Sequence, residues 1–145
     1  MRKIFNLVIG LVLLGTLNAQ AAAPISKEKL QAMFASMRTS APWNVDGPLL
    51  WGYYFTNSTP EPLQRAAAEL EAMGYRVVDI SERQNASSKA RWWLHVEKVE
   101  VQSVESLDAR NHEFYDFAAR NKLSSYDGMD VGPAPPRELS TPSGP

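Results

Sequence analysis

Between residues 49 and 131 the hydrophobic period alternates between 2 and 3.6 in a fixed order, which leaves this chain few ways to fold. Residues 49–55, LLWGYYF, are short and aromatic, the pattern of a strand. Thr59 and Pro60 then open a helix. Leu63, Ala66, Ala67, Leu70 and Met73 recur at helical spacing, and Gly74 supplies the left-handed residue that ends it. Residues 75–80 read as a second strand and residues 81–89 as a polar loop. Residues 91–101, RWWLHVEKVEV, set Trp92, Leu94 and Val96 on one side and Trp93, His95, Glu97, Val99 and Val101 on the other. Ser103 or Ser106 starts another helix, whose buried stripe is Leu107, Phe114, Phe117 and Ala118, and residues 124–131 form a last edge strand. The order strand, helix, strand, strand, helix, strand predicts an α+β fold, a ferredoxin-like split βαβ sandwich. Its antiparallel sheet carries two helices on one face.

An extra N-terminal helix over residues 26–37 precedes this unit. Ser26 caps it, and Leu30, Met33, Phe34 and Met37 form one apolar stripe. It is a candidate to cover the second sheet face. Residues 22–48 therefore comprise this helix and a connector, residues 49–132 the sandwich, and residues 133–145 a proline-rich tail with too little to bury to become ordered.

The first 21 residues stand apart. Arg2 and Lys3 precede an apolar run over residues 4–17, and Ala19-Gln20-Ala21 offers small residues where a signal peptidase reads. The run is shorter than the roughly 20 residues that cross a bilayer. Cleavage between Ala21 and Ala22 is expected, leaving a periplasmic or secreted domain with no stable membrane anchor; an uncleaved anchor is the alternative. The chain has no cysteine, so lipoprotein anchoring, thiolate catalysis and thiolate metal sites are excluded. Its net charge of −1 becomes −3 once Arg2 and Lys3 leave, which gives no basic footprint for direct nucleic-acid binding.

Few residues carry chemistry. His112 shares a helix face with Asp108 and Asp116, the pattern of a solvated surface lacking a further metal ligand. His95 lies between Trp93 and Glu97 on one strand face. Glu69 with Glu71 and Glu97 with Glu100 fall on different faces of their elements and make no acid–base couple. Asn57-Ser58-Thr59 and Asn85-Ala86-Ser87 match the glycosylation pattern. No nucleophile elbow, phosphate loop or zinc motif is present, so neither cofactor, metal nor catalytic residue is expected. The aromatic residues weigh more. Trp51, Tyr53 and Phe55 alternate with Leu50, Gly52 and Tyr54, and Trp92 and Trp93 face opposite ways. Either the leading helix packs over the rings that the other helices leave bare, or those rings form a docking surface, extended by Val99 and Val101. Trp51, Tyr53, Trp93 and His95 are the expected partner-binding residues.

The segment GYYF followed by PLQRAAAELEAMGYRVVD over residues 62–79, the pattern Trp92-x-Leu94-x-Val96, and Tyr126-Asp127-Gly128 together resemble the regulator of ribonuclease E activity B family, over roughly residues 27–132. The resemblance implies a small non-enzymatic module that binds another protein and inhibits it, with ribonuclease E as the family's target. The leader predicts export and ribonuclease E is cytoplasmic, so fold and mode of action are carried over and the nuclease is not. The expected function is an exported protein-binding inhibitor with an unknown protein partner; a role as immunity protein against a periplasmic toxin is one version. A small periplasmic hydrolase or metal-binding enzyme using His95 or His112 is one alternative. A cytoplasmic ribonuclease E regulator, should the leader not be a signal, is the other.

Overall fold

In the computed structural model, which describes residues 23–84 and 90–136, the elements follow the period changes of the sequence. The Ser26 hydroxyl accepts the Lys29 backbone N–H and starts α1, Lys27–Ser40. Strand β1 is Leu49–Asn57 and helix α2 is Pro60–Ala72. Gly74, at φ 91°, closes α2: its N–H bonds the Glu71 carbonyl while the Tyr75 N–H reaches the Leu70 carbonyl. Strands β2, Arg76–Gln84, and β3, Ala90–Glu100, follow. Helix α3, Val104–Arg120, is capped by Ser103, whose hydroxyl takes the Ser106 N–H while the Ser106 hydroxyl takes the Ser103 N–H. Strand β4, Ser125–Pro133, ends the order. The leader with its cleavage point at Ala21 and Ala22, the pattern at Asn85, and the tail beyond residue 136 lie outside the described residues. Among the described residues no helix is long and apolar enough to cross a membrane.

The sheet order is β2-β3-β1-β4, with every neighbouring pair antiparallel. Helix α2 carries the chain from β1 past β3 to β2, and α3 carries it from β3 past β1 to β4. The described residues thus form an α+β unit, a four-stranded antiparallel sheet with three helices, consistent with split βαβ connections.

All three helices lie on one face of that sheet. Trp51, Tyr53 and Phe55 of β1 point into this layer, as do Leu94 and Val96 of β3, and all are fully buried. Phe114 of α3 is the hub, with ring centroids 5.0 Å from Tyr53, 5.2 Å from Phe55, 5.5 Å from Tyr75 and 5.4 Å from Tyr126. Helix α1 does not cross to the second face. Its Phe34 packs 6.0 Å from Trp51, and its own neighbour is α3. The apolar stripe of α1 is thereby spent on the same core.

Several boundaries differ from the sequence reading. Strand β2 continues through residues 81–84, because Ser81, Glu82, Arg83 and Gln84 pair with Trp93, Trp92, Arg91 and Ala90 of β3. Backbone bonds to a strong strand hold this polar stretch, which an edge position leaves in water. Met73 falls at the C-cap of α2 and is exposed, and Val101 lies beyond β3 at 60% exposure. Strand β4 extends through Gly132 and Pro133, opposite Leu50 and Leu49. Asn57 is buried, with its amide donating to Thr59 and its carbonyl accepting from Ser124, so the pattern at Asn57 is packing.

Candidate functional site: the uncovered sheet face

Strand alternation sends Leu50, Gly52 and Tyr54 of β1, Arg91, Trp93, His95, Glu97 and Val99 of β3, and Asp130 of β4 to the face that, among the described residues, carries no helix. Register brings them together. Tyr54 lies opposite His95, and their rings stack at 4.4 Å and 16°. Trp93 meets Tyr54 edge-on at 6.3 Å, and the Arg83 guanidinium sits 5.1 Å above the indole. The Tyr54 hydroxyl donates to Asp130 Oδ2 at 2.6 Å. Burial, and then Asp130 as acceptor and neighbouring charge, push the Tyr54 phenol above its ordinary range, so it remains a donor.

Gly52 makes this assembly possible. It lies directly between Glu97 and Asp130 on the flanking strands. A Cβ here would meet Asp130 Oδ1 head-on and come within 2.9 Å of His95 Nε2. The missing side chain lets both groups lean across β1. Among the described residues His95 Nε2 is buried without a hydrogen-bond partner, 3.6 Å from Glu97 Oε1, while the other Glu97 oxygen takes Arg76. Gly→Ala in a strand ordinarily gains about 0.5–1 kcal/mol. Gly52→Ala is expected to lose about 1 kcal/mol instead, by evicting Asp130 and breaking its bond to Tyr54. Urea denaturation checks this, and a more stable variant would refute it.

The four expected contact residues divide between the faces. Trp93 and His95 stand on the bare face, half-buried. Trp51 and Tyr53 are corrections: both are wholly buried in the helix-covered core, where Tyr53 donates to Glu100 and no partner can reach them. The β1 alternation is as the sequence predicts, and the docking of α1 on Trp51 and of α3 on Tyr53 fixes which face is covered. Tyr54 and Arg83 are the residues missed. Tyr54 was visible as the odd partner in the Trp51-Tyr53-Phe55 alternation, whereas Arg83 fell in a stretch read as loop.

The other candidates separate from this face. His112 is exposed on α3, its Nδ1 2.8 Å from the Asp108 carbonyl, and no group of metal-ligating residues occurs among the described residues. The Tyr-Asp-Gly motif is structural. Tyr126 is buried and donates to Asn111, Asp127 accepts the Ser125 hydroxyl, and Gly128 takes φ 97° where β4 shifts register.

The sequence model of the family described as regulator of ribonuclease activity B (RraB) matches residues 27–131, over two thirds of the chain. The chain belongs to this family. A comparison with curated proteins finds no match. The RraB match begins at the first residue of α1 and ends within β4, so α1 is part of the RraB domain, as its packing on Trp51 requires. RraB is by description a regulatory family, and the uncovered face of this domain gathers aromatic rings and an arginine.

Proposed function

We propose that this chain is an exported, non-catalytic RraB-family inhibitor with a ferredoxin-like fold, and that it captures its protein partner on the bare sheet face through Trp93, Tyr54 and His95. One observation carries the reading: with three helices on one face, a stacked Tyr54–His95 pair and an arginine-topped Trp93 remain on the other. Aromatic and arginine side chains dominate the binding energy of protein interfaces because they desolvate large areas at small entropic cost. The apolar leader ending in Ala-Gln-Ala supports export. The family description makes a ribonuclease the first partner to test, and it favours a second reading in which the leader is retained and the protein acts on ribonuclease E in the cytoplasm.

N-terminal sequencing of the protein from fractionated cells separates the two. A chain beginning at Ala22 outside the cytoplasm is expected. Intact leader in the cytosol, with ribonuclease E co-purifying, would establish the second. In either compartment, Trp93→Ala and Tyr54→Ala are expected to weaken partner binding about 10–100-fold while shifting thermal unfolding by only a few degrees. Unchanged affinity in both variants would remove the bare face from the mechanism.

A further inference from the structure

We infer that the bare face reads its partner by polarity, accepting a protein segment that is acidic at one end and apolar at the other. This rests on the reading of that face as the binding surface. The acidic end is set by register: Arg83 of β2 lies directly opposite Arg91 of β3, on the face that carries Trp93. Like charges placed opposite one another weaken a strand pair. Neither arginine meets a carboxylate among the described residues, whereas Arg76 and Arg110 are paired with Glu97 and Glu100. Arg83 is also held in place over the Trp93 ring. The Arg83 guanidinium over the indole, with the exposed Arg91 opposite it, suits a carboxylate-bearing segment that adds its own side chains to the ring.

At the opposite end of the face the apolar pair Leu50 and Val99 lines a shallow concavity with Lys98 and the mutually paired Arg76 and Glu97. Leu50 and Val99 pair across β1 and β3, and Val101 projects beyond them. Gly132 faces Leu50 from β4 with open space above it. From Arg91 to Val99 the strand advances about 26 Å, at roughly 3.3 Å per residue. An extended segment of about eight residues spans that distance. Between the two ends, Glu97 is engaged by Arg76, and Asp130 by Tyr54. These carboxylates oppose a ligand that is anionic along its whole length, so a polarised peptide fits better than a phosphate backbone.

The test pans the full-length chain against a phage-displayed library of random 16-residue peptides and measures a fluorescent single-stranded RNA oligonucleotide in parallel. Enriched peptides are expected to group Asp and Glu at one end and apolar residues at the other. Arg83→Glu with Arg91→Glu should weaken them at least about tenfold and reverse their salt dependence, so that added salt favours binding, and Leu50→Ser should weaken them without altering it. Peptides without acidic bias, binding indifferent to the charge reversal, or no enrichment overturn the polarity. RNA binding lost on charge reversal would overturn it in favour of nucleic acid. Peptides indifferent to Trp93→Ala would instead overturn the assignment of the face itself.

Discussion

Phe114→Ala is expected to cost about 3–5 kcal/mol and to lower thermal unfolding by about 20 °C. The side chain is fully buried at the centre of the rings of Tyr53, Phe55, Tyr75 and Tyr126, which come from β1, β4 and the turn after α2. Aromatic rings are rigid, so the surrounding layer cannot collapse into the space left behind, and both the transfer energy and the lost ring contacts are forfeited. A domain of this size has about 5–15 kcal/mol of stability in total. The variant should therefore sit near the edge of folding at 37 °C. Trp93→Ala removes a larger ring, but from a half-exposed position on the bare face, and should cost about 1 kcal/mol. Urea denaturation of the two variants side by side checks the division of labour: core rings for folding, outer rings for contact. A loss below about 1 kcal/mol for Phe114→Ala would mean that the helices do not pack on the sheet as described.

The same division explains what could be read from the chain alone. Periods of 2 and 3.6 identify strands and helices because one face of each is buried, so the elements and their order were legible. The caps were legible as well, because Ser26, Ser103 and Gly74 each do a local job. Which sheet face is covered is a tertiary fact. Trp51 and Trp93 look alike in sequence, and only the docking of Phe34 on Trp51 distinguishes a core ring from an outer one. Polar residues inside an apolar stripe were also hidden. Asn111 sits on the buried side of α3 between Leu107 and Phe114, where it receives the Tyr126 hydroxyl at 2.7 Å; a hydropathy pattern skips it. Residues 81–84 were lost for the converse reason. An edge strand exposed to water needs no apolar alternation, and its pairing with β3 is written in the partner rather than in its own side chains.

Raising the pH should unfold this protein in one step driven by its tyrosines. The chain has five, and burial is the first cause that pushes the phenols of Tyr53, Tyr54, Tyr75, Tyr115 and Tyr126 above their ordinary value of 10.0. A group whose folded pKa is raised binds its proton more tightly in the native state. Its contribution to stability is fully present below the unfolded value and is lost as the pH climbs beyond it. Stability should thus be insensitive to these groups below about pH 10 and fall above it. Tyr53 and Tyr126 are the most deeply buried, and each is tied by its hydroxyl, to Glu100 and Asn111. Those two alone remove about 2.7 kcal/mol per pH unit once the unfolded phenols ionise. The native margin then disappears within a few pH units. Phenolate absorbance near 295 nm should stay low past pH 10 and rise together with the loss of far-ultraviolet dichroism, whereas in concentrated guanidinium the phenols should titrate near pH 10. Gradual ionisation around pH 10 with the dichroism intact would contradict the buried, hydrogen-bonded tyrosine layer on which the sheet and helices meet.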